Sequence, residues 1–276
     1  MVPMTRPTDP VAGVDAVGAL RTEAPAVGLP SSGPPAGRTP AVGTPAVRRS
    51  GAVRRTAGVP TLRFERRLLR AGAQRIAAVD EVGRGSPAGP AYVGVVVVDA
   101  RIGRPPIGVR DSKLLSSERR EALVPAVRAW ASDWAVGQVG PGEIDTFGLT
   151  AGLRLACCRA LAGLVAPPDL VLLDGSHDWL TPPEADDPLD GLPDAEWSPA
   201  PVVTRVKADL DCVSVAAASI LAKVARDALM IELAASFPGY GWHDNKGYGT
   251  SEHLEAIRRL GPTPHHRISW RLFGTT

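Results

Sequence analysis

Four acidic residues stand where apolar runs give way to loops. Asp80 and Glu81 follow Ile76-Ala-Ala-Val, Asp174 follows Leu170-Val-Leu-Leu, and Asp209 comes shortly after Val202-Val-Thr. Such runs read as strands, and strand ends on one edge of an α/β sheet form the usual ligand crevice. Carboxylates gathered there cannot all stay ionised without a counter-cation. No His or Cys cluster accompanies them, and all-oxygen ligation selects a hard cation, Mn²⁺ or Mg²⁺, over Zn²⁺. Two such cations about 4 Å apart activate a water and stabilise the leaving oxygen of a phosphodiester. The plainer reading of each Asp alone is a helix cap or a turn. Asp211, two residues beyond Asp209, competes with it as a ligand.

The stretch from Ile76 to Gly89 adds a second function to the first pair of acids. Successive side chains of a strand point to opposite faces, so Asp80 and Glu81 share one site only if the strand ends or bends there. Gly83-Arg84-Gly85 follows at once and permits a bend, because glycine accepts positive φ cheaply. It also leaves amide N–H groups uncovered by Cβ, suited to a phosphate or hydroxyl. Lys113, Lys223 and Lys246 are three of only four lysines and are candidates to meet phosphates. Lys223 and Asp227 are four apart on a helical pattern, so an ion pair is the plainer reading of Asp227. His243, His265 and His266 read as structural or surface residues rather than bases.

These groups need a scaffold, and the pattern supplies one. A short amphipathic helix covers Leu62–Arg70. Strands are expected at Arg75–Val82, Pro90–Asp99, Trp134–Val139, Asp169–Gly175 and Val202–Val206, the first two antiparallel across a short Gly/Pro connection. Asp111-Ser112-Lys113 lies in a loop before a helix, capped by Ser116 or Ser117. Helices are expected at Glu118–Ser132, Gly142–Leu164 and Val213–Ser236, with two short ones flanking Lys246-Gly-Tyr248-Gly-Thr250. The sum is an α/β fold, a mixed five-stranded sheet flanked by helices with a C-terminal helical segment.

Composition divides the chain of 276 residues, which has 44% hydrophobic content. Residues 1–60 are Pro/Ala/Gly/Arg-rich and read as a disordered arm, with 61–276 as the folded domain. The arm is a dispensable tail, or a start set too early, or a basic tether through Arg48, Arg49, Arg54 and Arg55. Residues 1–78 hold twelve Arg against four acids, whereas 79–276 hold nineteen bases against twenty-five acids. Seven of those acids fall in 178–199, and the stretch 178–200 reads as an acidic surface insertion. No apolar run is long enough to span a bilayer and the N-terminus lacks a signal-peptide core, so a cytoplasmic protein with no membrane partner is expected. Three cysteines, two adjacent, read as buried thiols.

Six separated motifs, in order, give this chain a family resemblance. They are Asp80-Glu81-Val-Gly83-Arg84-Gly85, Asp111-Ser-Lys113, Leu173-Asp174-Gly175, Lys207-Ala-Asp209 running on to Ala217-Ala-Ser219-Ile-Leu-Ala-Lys223-Val-Ala-Arg226-Asp227, Lys246-Gly-Tyr248-Gly-Thr250, and His266-Arg267. Together they resemble bacterial type 2 ribonuclease H (ribonuclease HII) across about residues 62–273. The resemblance implies a ribonuclease H-like fold. It implies cleavage of the RNA strand of RNA–DNA hybrids and incision at single ribonucleotides in duplex DNA, leaving a 3′-hydroxyl and a 5′-phosphate. It implies that Asp80, Glu81, Asp174 and Asp209 hold two Mn²⁺ or Mg²⁺ ions, and it selects Asp209 over Asp211 by its spacing to the Ala-Ala-Ser-Ile segment. It assigns substrate contacts to Gly83, Arg84, Gly85 and the sensing residue Tyr248; Ser219 and, unless they are plain solvated lysines, Lys113, Lys223 and Lys246 inside the motifs are further substrate-binding candidates. A 2′-hydroxyl is what separates RNA from DNA at one nucleotide, and a glycine loop can read it without reading the base. The chain departs from the family at Ala208, commonly glycine, and at Gly148, often Asn. A monomer is expected. A sliding-clamp contact through Trp270-Arg-Leu-Phe273 is the weaker reading of that segment and burial the plainer one. Two other readings stay open: the type 3 relative, which prefers longer hybrids, and a hybrid-binding protein without catalysis.

Overall fold

The computed structural model describes residues 58–195 and 200–270. Most of the expected basic arm, residues 271–273 of the C-terminal segment and residues 196–199 of the acidic stretch lie outside those limits.

Helix α1 (Arg63–Arg70) leads into β1 (Arg75–Val82) and β2 (Ala91–Asp99). Then come α2 (Ser117–Trp130), β3 (Asp133–Val139), α3 (Pro141–Phe147), α4 (Leu149–Ala162) and β4 (Leu170–Asp174). The chain closes with β5 (Val202–Arg205), α5 (Ala208–Asp211), α6 (Val213–Ser236), α7 (Trp242–Asn245) and α8 (Ser251–Leu260). The five strands form one sheet in the order β3-β2-β1-β4-β5. β1 is antiparallel to β2 and parallel to β4, and β4 is parallel to β5, so the sheet is mixed as its sequence predicts.

Alternation along β1 and β2 divides the core. Ala77, Val79, Val93, Val95 and Val97 pack with α4 on one face. Ile76, Ala78, Val96 and Val98 pack with α6 on the other. Each fully buried valine contributes roughly 1.5–3 kcal/mol of transfer free energy, which is why this unbroken apolar run makes a central strand.

α6 lies unusually close to the sheet at Gly94, where a Cβ would stand 2.2 Å from the Ala218 carbonyl oxygen. Gly94 is the register partner of Asp80. The contact therefore sets Ser219, the next residue of α6, beside Asp80. The N-terminus of α6 is fixed from α1, where buried Glu65 accepts from the Ser214 amide at 3.1 Å and its hydroxyl at 2.7 Å. A carboxylate there also complements the positive end of the helix dipole.

Two expectations need correction. The single helix over Gly142–Leu164 is two helices, because Gly148 takes φ 81, ψ 162, a region essentially restricted to glycine. The acidic stretch 178–200 is not wholly a surface feature. Trp179, Leu180 and Leu189 are buried in the α4-side core, and Arg154 and Arg159 of α4 pair with Asp187 and Asp194. Its charge concealed three apolar anchors.

Candidate active site

Asp174 is the last residue of β4, as its sequence predicts. Asp209 lies on α5, beyond the end of β5. Asp80 and Glu81 lie within β1 rather than at its end, since pairing to β2 continues through Val82. On the other side β1–β4 pairing stops at Val79 with Leu173, so both acids lie where the sheet opens. The Ala208 amide donates to Asp174 Oδ1 at 2.6 Å and ties the start of α5 to the end of β4. Because this bond uses backbone, alanine at 208 serves as well as glycine.

The acids interact through their charges. Burial pushes the Asp80 carboxyl well above its ordinary value; the nearby Ser219 hydroxyl pulls it back, while Glu81, Asp174 and Asp209 raise it further. Asp174 is raised by burial and by Glu81, against the lowering effect of the Ala208 amide. Asp209 is raised by burial, then by Asp174 and Asp111. Lys113 Nζ lies 3.6 Å from Asp209 Oδ2. Burial opposes its charge, but Asp111, Asp80, Asp209 and Asp174 outweigh that and hold it protonated. Asp211 instead pairs with Arg205 at 2.6 Å, which favours Asp209 as the site carboxylate.

The donor set fits a hard divalent cation. Every candidate ligand is oxygen, and Glu81 Oε2 is buried without a hydrogen-bond partner. Among the described residues no three acids, His or Cys surround one point.

The glycine loop is held by two buried arginines. Arg226 of α6 donates to the Pro90 carbonyl at 2.9 Å, the Lys246 carbonyl at 2.9 Å, the Ser86 hydroxyl at 2.8 Å and the Ala88 carbonyl at 3.1 Å. Arg267 donates to the carbonyls of Arg84 at 2.8 Å, Gly83 at 2.6 Å and Gly89 at 3.2 Å. The Ala88 amide donates to the Gly247 carbonyl at 3.2 Å. The glycine loop and the loop bearing Tyr248 thus form one hydrogen-bonded unit. The Tyr248 ring faces the Arg226 guanidinium at 5.0 Å and Lys223 Nζ at 5.4 Å.

The family model described as Ribonuclease HII matches residues 77–273. This chain belongs to the ribonuclease HII family. It is 46% identical over 212 residues to the ribonuclease HII of Streptomyces coelicolor, covering 76% of this chain and 83% of that one. It superposes on the ribonuclease H2 of Pyrococcus horikoshii with TM-score 0.56 at 29% identity, covering 72% of this chain and 95% of that one. It also superposes on the Archaeoglobus fulgidus ribonuclease HII solved with PCNA, with TM-score 0.54 at 26% identity over 73% and 97% of the two chains. By family, therefore, it is a nuclease.

The other expected contact residues divide sharply. Gly85 is exposed, but Gly83 is buried against Arg226. Arg84 is exposed and reaches back to Glu81 Oε1 at 3.2 Å. Ser219 is buried, its hydroxyl 2.9 Å from that of Ser112, so it acts on Asp80 from the interior rather than meeting solvent. Lys223 pairs with Asp227 at 2.5 Å, and Asp227 also receives Arg120 at 3.4 Å, which bears out the ion-pair reading of Asp227. Lys246 Nζ bonds to the His243 carbonyl within its own loop. His266 is buried beside His253, and burial pushes it down to about 4, as suits a structural histidine. The three cysteines are buried and free.

In a ribonuclease HII fold, the residues that sequence reasoning left without a role are Arg226 and Arg267. Their signal was an arginine set in an apolar helical run and another beside a histidine near the C-terminus. Neither pattern announces seven hydrogen bonds, most of them to a loop more than a hundred residues away.

Proposed function

We propose that this chain hydrolyses the RNA strand of RNA–DNA hybrids and incises 5′ of single ribonucleotides in duplex DNA, leaving 3′-hydroxyl and 5′-phosphate ends. The observation that carries the reading is the junction where β1 parts from β4. Asp80, Asp174 and Asp209, each with its proton affinity raised by burial and neighbouring charge, lie with Glu81 beside a glycine loop locked to a tyrosine loop.

Asp80, Glu81, Asp174 and Asp209 would hold two Mn²⁺ or Mg²⁺ ions. When bound, the ions would neutralise the carboxylates, ease deprotonation of the attacking water and offset charge on the leaving oxygen. The chain's own groups do the rest. Ser219 and the Gly94 contact fix Asp80, and the Ala208 amide orients Asp174. Lys113 offsets negative charge beside Asp209. Gly85 faces open space, so its backbone can approach a ribose closely enough to exchange hydrogen bonds with the 2′-hydroxyl. Tyr248 supplies a flat face and a hydroxyl at the same nucleotide. Among the described residues no helix is long and apolar enough to cross a membrane, in keeping with a cytoplasmic, nucleic-acid-directed protein. The archaeal relative solved with PCNA supports a clamp contact here as the weaker reading of the C-terminal segment, while Trp270 itself packs against the α4-side core, as the burial reading expects.

The test is incision of a DNA duplex bearing one ribonucleotide. Cleavage is expected with Mn²⁺ or Mg²⁺, on the 5′ side, and none with chelator. No cleavage with either ion sinks the assignment. Tyr248→Ala is expected to slow incision of that substrate by about a hundredfold, ~3 kcal/mol. Its affinity for all-DNA duplex should stay within about twofold of the parent. Equal losses in both assays would remove the sensing role.

A further inference from the structure

A cleft of about 640 Å³ opens between α1 and the turn that joins β5 to α5. Arg63, Arg67 and Arg70 line one side, and Arg205 and Lys207 line the other. The only acid in the lining, Asp211, is already paired with Arg205 at 2.6 Å.

The cations are displayed on a fixed frame. Positions 63, 67 and 70 share one face of α1 and span about 10 Å at 1.5 Å per residue. The helix cannot turn this face inward, because Leu62 and Glu65 are buried beneath it and Glu65 is bound to the start of α6. Phe64 lies between two guanidiniums, Arg67 at 4.6 Å and Arg205 at 4.5 Å from its ring centre. Two like charges on one ring repel, and an anion between or beside them relieves that repulsion. Arg205 Nε is buried without a hydrogen-bond partner. Lys207 is held at φ 59, a left-handed conformation uncommon for a residue with a side chain.

The cleft adjoins the acids. Arg205 is the register partner of Asp174, one strand away, about 4.8 Å across the sheet. Lys207 immediately precedes Ala208, whose amide binds Asp174. Basic surface thus begins where the acidic site ends, on the side away from the Gly83-Arg84-Gly85 loop.

We propose that this cleft docks the sugar–phosphate backbone of the duplex flanking the cleavage point, an inference that rests on the nuclease reading above. A row of cations about 10 Å long, on long flexible side chains, reaches about two to three successive phosphates of one strand. A free mononucleotide would use only part of it. Backbone contacts position a duplex without reading its sequence, so the cleft would bind DNA and hybrid alike.

The probe is a 24-base-pair all-DNA duplex titrated by fluorescence anisotropy against the full chain in chelator, across a salt series. Arg63→Gln/Arg67→Gln/Arg70→Gln is expected to flatten the slope of log affinity against log salt by about two to three units, at about 0.9 per lost phosphate contact. Affinity at 0.1 M salt should fall about tenfold or more. The charge-matched control Arg101→Gln/Arg104→Gln/Arg128→Gln should keep the parent slope. If the triple variant loses its circular dichroism signal, Arg63→Gln and Arg70→Gln alone, which leave the Phe64 stack intact, should each cost about 0.9 of slope. Parent slopes in all these variants, or free mononucleotide competing as well as duplex, overturn the proposal. Incision is scored separately. A parent that binds duplex with the expected slope but never cuts would overturn the nuclease reading and leave the cleft standing.

Discussion

Asp80→Asn is expected to abolish incision and to stabilise the metal-free fold. The activity loss should be about a thousandfold or more, ~4 kcal/mol of barrier. Asparagine keeps the shape but supplies no charge to hold a divalent cation. The stability gain follows from the proton balance. Burial and three neighbouring carboxylates raise the Asp80 pKa, so the folded chain binds that proton more tightly than the unfolded chain does. Stability from this group is full below the ordinary carboxylate value, about 4, and is lost as pH rises through the raised folded value. Asparagine cannot ionise, so the loss disappears. At pH 7 in chelator the midpoint of the variant should lie about 2–4 °C above the parent, the shift for roughly 1 kcal/mol in a domain of this size. Below pH 4 the two curves should converge. Thermal melts at both pH values, beside a single-turnover incision assay, check the pair of outcomes. Incision within about tenfold of the parent removes Asp80 from the site. A lower midpoint at neutral pH shows that its charge is not a strained one.

That opposition between stability and function explains which parts of the molecule were legible in sequence. Asp80, Glu81 and Asp174 were visible because carboxylates at the ends of valine- and leucine-rich runs have no packing reason to be there. The antiparallel pairing of β1 and β2 was visible because their connection is short, whereas the full strand order was not. The helix break at Gly148 was hidden, because its neighbours on both sides favour helix and only the backbone angle separates them. Trp179, Leu180 and Leu189 were hidden by the acids around them, since average composition says nothing about which side chains turn inward. Arg226 and Arg267 were hidden for a different reason. Their partners are mostly backbone carbonyls, which every residue has, so the motifs that contain them assign them no role.

Those arginines decide what the glycine loop tolerates. Gly83 and Gly85 look equivalent in sequence and are not equivalent in the fold. Gly83 has φ 83 and is buried, and a Cβ there would stand 2.1 Å from Arg226 Nε. The arginine cannot withdraw, because that same nitrogen donates to Pro90 while its other nitrogens hold Ser86, Ala88 and Lys246. Gly83→Ala must therefore strain the backbone, about 1–2 kcal/mol, and break at least one or two buried hydrogen bonds at about 1–3 kcal/mol each. A loss of about 3–5 kcal/mol is expected in urea unfolding, with incision down at least about a hundredfold because the loop and Tyr248 share the same arginine. At Gly85 an added methyl group would meet nothing within 4 Å, and the backbone needs no positive φ. Gly85→Ala should leave unfolding within about 0.5 kcal/mol of the parent, the range for surface changes. It should still lose incision of a single-ribonucleotide duplex by at least about tenfold, because the added methyl occupies the face a ribose would approach. A stable and fully active Gly85→Ala would mean that the ribose does not approach there. A stable Gly83→Ala would mean that Arg226 is free to move, and the two loops would then not be one unit. With the expected pair, the loop divides its work: Gly83 makes room for the arginine that fixes the loop, and Gly85 leaves room for the sugar that the fixed loop reads.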